Sequence, residues 1–204
     1  MFKVKPPKIL RKLFRALVWN YPKQEHDIIY LTFDDGPCPE VTPWILETLR
    51  KADVKATFFC VGMNVEEYPD LYYQILKEGH VVGNHSYSHL KGFRANILEY
   101  LEDVEKAAYL INSKLFRPPY GKIRPSQMRL LKNKFKIIIW DVMSCDYDQN
   151  ISGEKCLENV IKNAKSGSII VFHDSLKAKE NMMYALPRAI DHFKKKGYQF
   201  MLLD

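Results

Sequence analysis

Two carboxylates, Asp34 and Asp35, stand side by side after the apolar run IIYLTF and just before Gly36 and Pro37. Like charges this close, at the end of what reads as a buried strand, disfavour each other's ionised form unless a cation is supplied. The chain offers the means to hold one. His85 and His89 lie four residues apart in NHSYSH, a spacing that in one helical turn puts both imidazoles on a single face, where they can grip one metal ion. Two histidines and a carboxylate are a common catalytic zinc set that leaves a position for water. One aspartate can then ligate while the other serves as base. Arg117, which opens RPPYG, can orient the free carboxylate by a bidentate contact. His173, in FHD, can act as an acid across the site. Zinc lowers the pKa of bound water from about 15.7 towards about 7. Together these groups form a kit for metal-assisted hydrolysis of an ester or amide.

The elements that must position these groups alternate. Strand-like runs occupy 28–33, 56–61, 80–84, 115–117, 136–140, 168–172 and 198–202. Helical stretches lie between them: one opening at Thr42-Pro43, then 64–77, 96–111 with Ile97, Leu101, Val104, Ala108 and Ile111 on one face, 126–133, 153–164 and 182–196. Such alternation predicts a parallel α/β sheet, open or closed into a barrel, with chemistry at the C-terminal ends of its strands. Each polar cluster follows a predicted strand. Asp34 and Asp35 follow the first, His85 and His89 the third, and Arg117 ends the fourth. Asp141 follows the fifth with Asp146 a little further on, and His173 and Asp174 follow the sixth. Convergence on one mouth is the simplest account of five such clusters.

The 204 residues, 47% of them hydrophobic, suffice for one sizeable core. Seven of the 31 basic residues precede the first acid, Glu25, which leaves 24 of each sign in the remainder. The basic excess is therefore confined to an N-terminal arm, 1–26, ahead of a catalytic domain, 27–204, with residues 20–27 as a separator. A formally neutral body speaks against a nucleic-acid partner. Residues 8–19 alternate as an amphipathic basic helix, suited either to an anionic membrane surface, with Trp19 at the interface, or to covering the barrel with its apolar face; the second is the preferred reading. No stretch has the length of a transmembrane helix or of a secretory h-region, which gives a cytoplasmic default. Cys38, Cys60, Cys145 and Cys156 form no C-x-x-C pair and read as thiols in a reducing compartment; Cys38 and Cys145 fall in the loops that carry the site.

The segments TFDDGP, HSYSH, RPPYG, WDVMSCDY and IIVFHD occur in the order of the five motifs of the NodB-like polysaccharide deacetylases, the fourth carbohydrate esterase family, and the chain resembles that family over about residues 28–204. The resemblance implies a distorted (β/α) barrel of about seven parallel strands. It implies Asp34 as the general base, Asp35, His85 and His89 as ligands of a metal, usually zinc with other divalent transition metals open, and Arg117 as the group that holds Asp34. It further implies the backbone N–H of Tyr120 at the oxyanion, His173 as the acid for the leaving amine, and Asp146, ranked above Asp141, as the partner that keeps His173 protonated. Tyr147 stands where the family usually has tryptophan and Val171 where it usually has leucine; both positions line the acetyl pocket in family members. The implied reaction removes N-acetyl groups from an amino-sugar glycan, peptidoglycan or a chitin-like oligosaccharide, in a monomer. Alternatives are an O-acetyl glycan or non-sugar amide as substrate, a non-catalytic glycan-binding module on the same scaffold, and a membrane-surface scaffold working through the arm.

Overall fold

The computed structural model describes residues 4–22 and 25–204; residues 1–3 and, in the separator, Lys23 and Gln24 lie outside the described residues. Eight short strands pair in parallel: β1 (Ile28–Asp34), β2 (Thr57–Cys60), β3 (Val81–Asn84), β4 (Leu115–Phe116), β5 (Lys136–Ile137), β6 (Val142–Met143), β7 (Ser168–His173) and β8 (Gln199–Phe200). Seven follow the path β5-β4-β3-β2-β1-β7-β6, an incomplete (β/α) barrel. The eighth, β8, pairs with the first residues of β1, whose last residues pair with β2.

The helices are α1 (Lys8–Leu13), α2 (Thr42–Lys51), α3 (Gly62–Glu67), α4 (Pro69–Lys77), α5 (Ile97–Leu110), α6 (Pro125–Leu131), α7 (Gly153–Ile161) and α8 (Lys179–Lys195). The single helix expected over 64–77 is two. Pro69 disfavours helical geometry in the residue before it, and Tyr68 sits at φ −126° and ψ 57°. Asn96 caps α5 in a reciprocal box with Glu99. Its buried face is Tyr100, Val104 and Ala107, continued by Ile111; of the predicted stripe Val104 and Ile111 are buried, Leu101 and Ala108 are half-buried against the core, and Ile97 is exposed.

Residue alternation along β1 builds the two layers of the core. Ile29, Leu31 and Phe33 point outward into a cluster with Ile45, Leu46 and Leu49 of α2 and Leu186, Ile190 and Phe193 of α8. Ile28 and Tyr30 point inward to Phe59, Phe116, Ile138, Ile169 and Val171. The same alternation carries Thr32 and Asp34 along the inner face, so that Asp34 arrives at the open upper end of the barrel.

The run expected as one strand over 136–140 leaves the ladder after Ile137, and a second strand begins at Val142. Asp141 thus stands at the foot of β6. Its N–H bonds Ile169 O, and its carboxylate accepts from Ser168 Oγ at 2.5 Å and pairs with Arg11, with Lys5 3.9 Å away. His173 lies four positions beyond Ile169 along β7, roughly 13 Å of strand. Asp141 is therefore a structural carboxylate at the closed end, not a candidate acid of the site.

The arm also departs from expectation. Helix α1 covers six residues rather than 8–19, and none of them is buried. Beyond it a turn closed by Leu17 N–H on Phe14 O leads into extended chain from Val18. Leu17 and Trp19 enter the inner cluster, Val18 exchanges backbone hydrogen bonds with Ile137 and Ile139, and Tyr21 N bonds Gly167 O. Alternation with period two fits this segment better than a helix does, because it buries Leu17 and Trp19 together while the backbone of Val18 satisfies the open edge after β5. Ile9 and Leu13 remain 66% and 69% exposed, whereas Leu10 and, just beyond α1, Phe14 pack half-buried against the inner cluster, so part of the expected apolar face covers the barrel, and Trp19 is sealed inside rather than held at an interface. Among the described residues no helix is long and apolar enough to cross a membrane.

Candidate active site

Asp34 is the last residue of β1, and its Cα partner across the ladder is His173, the last residue of β7. This register alone sets a carboxylate beside an imidazole at the strand ends. Arg117 lies directly after β4, fully buried, its guanidinium 4.0 Å from the Phe59 ring centroid. It donates to Asp34 Oδ1 at 2.5 Å, to Thr32 Oγ1 at 2.8 Å and to Ile139 O at 2.9 Å. Three acceptors on two segments, β1 and the chain at Ile139, fix both the arginine and one oxygen of Asp34.

His85 and His89 do share a face, but not through a helical turn. Residues 85–90 form a loop in which Ser86 (φ 63°) and His89 (φ 57°) take left-handed conformations. The loop is held from outside: Asp103 of α5 accepts from Tyr87 N, Ser88 N and Ser88 Oγ, and Asn84 Oδ1 accepts from Ser86 N. The two rings come to 5.1 Å between centroids. His85 Nδ1 lies 2.7 Å from Arg117 O, an acceptor only, so Nδ1 carries a proton and Nε2 is the nitrogen that would ligate a metal. Both Nε2 atoms face Asp35 Oδ1, at 3.6 Å for His85 and 3.2 Å for His89. Burial works against ionised Asp35, yet hydrogen bonds from His85 and His89, with the charge of His173 beyond, hold it well below the ordinary carboxylate range.

One ligand atom from each of Asp35, His85 and His89 falls within 4.8 Å of the others. Two imidazole Nε2 atoms of set orientation and one carboxylate oxygen fit the donor set and spacing of a divalent transition metal. Asp35 itself is at φ 81°. With Ser86, His89, Tyr120 (φ 61°) and Cys145 (φ 64°) it makes five of the six described non-glycine residues at positive φ, all in the loops above the strand ends; Asp53 is the sixth. Such conformations cost of order 1 kcal/mol each and persist where a site dictates them.

Across the mouth, Asp146 engages His173 twice, accepting from its backbone N–H on Oδ2 and from Nδ1 on Oδ1, both at 2.7 Å. Burial disfavours the imidazolium, but the charge and hydrogen bond of Asp146, then the charges of Asp35 and Asp34, outweigh it and raise His173 to about 9. Tyr147 packs edge-on against His173 at 5.0 Å, and Tyr120 leans on His89 at 4.7 Å. Gly121, at φ +63°, lies so close to Trp140 that a Cβ there would fall 2.4 Å from the indole.

Asp34, Asp35, His85, His89, Tyr120, Tyr147 and His173 line one cleft of about 570 Å³. Asp146 and Arg117 stand behind it. Val171 is not on its surface: it is fully buried on β7, two residues below His173, and Trp140 and Met143 supply the apolar lining instead. Asp174, adjacent to His173 yet given no role from sequence, is buried beneath the Asp35 loop. It accepts from Thr42 Oγ1 at 2.6 Å, and Thr42 in turn accepts from Cys38 N at 2.7 Å. A Cβ on Gly36 would strike the Asp174 carboxylate at 2.2 Å. Only the long-range packing of α2 against the end of β7 reveals this brace; no spacing in the chain signals it. Lys91, Lys122 and Lys177 also line the cleft and went unremarked in the sequence. No disulfide forms among the described residues.

Residues 21–136 match the sequence profile of the polysaccharide deacetylases. A peptidoglycan-N-acetylglucosamine deacetylase of Bacillus cereus is 37% identical over 202 residues, covering 95% of this chain and 72% of that protein. The crystal structure of a peptidoglycan N-acetylglucosamine deacetylase bound to a naphthalenyl N-hydroxybenzamide superposes with a TM-score of 0.89 at 34% identity, over 97% of this chain and 95% of that one. A pseudoenzyme of the same esterase family from Bacillus anthracis superposes with a TM-score of 0.78 at 26% identity, over 90% of this chain and 66% of that one.

Proposed function

Because this chain belongs to the polysaccharide deacetylase family, we propose that it hydrolyses the N-acetyl amide of an amino-sugar glycan, with peptidoglycan as the substrate and zinc as the metal. The observation that carries this reading is the pairing of two differently supported groups across one triad. Asp34, held by Arg117, and His173, held by Asp146, flank Asp35, His85 and His89 in a single cleft.

The residues divide the work by their environments. Asp35, His85 and His89 would hold the cation, which when bound supplies Lewis acidity and a positive field at the amide. Asp34 has one oxygen committed to Arg117 and so keeps a fixed orientation as it takes the proton of the attacking water. The backbone N–H of Tyr120 would donate to the developing oxyanion, a contribution typically worth about 3 kcal/mol. His173 is charged at neutral pH and delivers its proton to the departing nitrogen, giving acetate and a free amine. Trp140, Met143 and Tyr147 offer an apolar wall for the acetyl methyl. The neighbouring pseudoenzyme warns that fold alone does not make a catalyst; the full set of acid, base, triad and both supports favours catalysis here.

Metal content and acetate release test this together. Wild type and Asp34→Asn are each expected to bind about one zinc per chain, since Asp34 is outside the triad, and only the wild type should release acetate from peptidoglycan or N-acetylglucosamine oligomers. Metal binding with no acetate from any glycan would move the activity to other amides. No metal uptake after zinc is supplied would defeat the enzymatic reading and favour a glycan-binding module.

A further inference from the structure

We propose that the mouth of this cleft selects glycans that carry a carboxylate next to the acetamido sugar. Two matching stacks flank the site. On one wall Lys91 Nζ lies 4.4 Å from the Tyr120 ring centroid, and Tyr120 leans on His89. On the other Lys177 Nζ lies 5.9 Å from the Tyr147 ring centroid, and Tyr147 packs on His173. Lys122, two residues past Tyr120 and exposed, completes the cationic rim. Each tyrosine thus seats a lysine above a histidine of the site, and a sugar spanning the cleft would run between two ammonium groups.

These cations have no ion-pair partner among the described residues. The acid that feels Lys177 is Asp148, which hydrogen bonds from Asn150, first, and then Lys177 hold below its usual range. The carboxylates lining the cleft, Asp34 and Asp35, are committed to Arg117 and to the histidines. The rim therefore presents positive charge in excess, on a body whose charges balance as a whole. Lysine ammonium groups are point charges that suit a single mobile anionic oxygen. In peptidoglycan strands freed of their stem peptides, that anion is the lactyl carboxylate of the muramic acid beside each N-acetylglucosamine; where a stem peptide is attached, that carboxyl is an amide and carries no charge. A neutral chitin-like oligomer would leave the three ammonium groups unused.

The inference rests on the deacetylase reading for its reaction but not for its binding, so the test measures both. The probes are an N-acetylglucosamine–N-acetylmuramic acid tetrasaccharide and the same molecule with its carboxylates capped as methylamides. Binding is titrated in the zinc-loaded Asp34→Asn protein, and kcat/KM for acetate release is measured in the zinc-loaded wild type. The uncapped glycan should be preferred by about tenfold at low salt, the size expected of two or three partly exposed charge pairs acting together. The preference should shrink as ionic strength rises from about 0.01 to 0.5 M and the charges are screened. It should vanish in Lys91→Gln/Lys122→Gln/Lys177→Gln and survive in the corresponding triple arginine variant. Should the triple glutamine variant not fold, Lys122→Gln alone, an exposed position, should lose about a third of the preference in logarithmic terms. Equal handling of capped and uncapped glycan by the wild type, or a preference that persists without the lysines, would overturn the proposal. A binding preference with no acetate from either probe would sustain it while removing the deacetylase reading.

Discussion

Replacing Arg117 with leucine should strand a largely buried carboxylate. Arg117 is fully buried and Asp34 is 3% exposed. The guanidinium supplies Asp34 Oδ1, Thr32 Oγ1 and Ile139 O with donors at 2.5, 2.8 and 2.9 Å. Removing one partner of a buried ion pair costs about 3–5 kcal/mol. The orphaned Ile139 carbonyl adds about 1 kcal/mol, whereas Thr32 keeps its own bond to Ile170 O. With a urea dependence of about 2 kcal/mol per molar, a loss of about 4 kcal/mol lowers the unfolding midpoint by roughly 2 M. Asp34→Asn strands the opposite charge and should also destabilise. The double variant carries neither charge, so it should be no less stable than Arg117→Leu alone, a coupling of about 2 kcal/mol or more. Urea unfolding of all four proteins with a chelator present gives the cycle free of any metal contribution. If the two costs add to within about 0.5 kcal/mol, the groups do not depend on each other. Arg117 would then not be what holds Asp34.

Three further outcomes are expected. His173 lies raised at about 9, against the opposition of burial, through Asp146 and the nearby carboxylates; its charge contributes stability that is complete below an unfolded value of about 6.5 and lost as pH climbs through about 9. Acetate release should fall along the same alkaline limb, and Asp146→Asn should draw that limb down by about one unit or more; a limb that does not move would remove Asp146 from this role. Asp174 is raised to about 8 by burial, with Thr42 opposing and the charge of Asp35 adding to it, so its contribution is full at acid pH and declines as pH rises from about 4 to 8. Asp174→Asn, which needs no proton to stay neutral, should therefore gain on the wild type as pH rises from about 4 to 7, whereas Asp174→Ala, which also loses the Thr42 hydrogen bond, should be clearly less stable than Asp174→Asn; a difference between Asp174→Asn and wild type that does not change with pH in thermal melts would contradict the protonated state. Arg11→Ala leaves buried Asp141 with Ser168 and a lysine 3.9 Å away, and should cost about 2 kcal/mol, or roughly 4–8 °C in Tm. A shift below about 1 °C would mean that the arm is not part of the barrel wall.

What the chain determines by itself is local and periodic. Alternating strand and helix runs specified a parallel sheet, because residues two or 3.6 apart share a face whatever the rest of the molecule does. The short clusters DD, HSYSH, RPPYG and FHD marked the strand ends for the same reason: each is a contiguous stretch with its own chemistry. The tertiary structure decided what depends on register and on partners distant in sequence. It ended the 136–140 run at Ile137 and opened a new strand at Val142, which sent Asp141 to the closed end to meet Arg11 and left Asp146 with His173. It turned the His85–His89 segment into a loop pinned by Asp103, 14 residues beyond His89. It sank Val171 beneath the cleft, set Thr42 under Asp174, and drew Leu17 and Trp19 into the barrel. None of these can be read from spacing, because burial and pairing are properties of the whole packed chain, and a side chain's neighbours across a barrel are set by how its strands are registered rather than by the residues beside it.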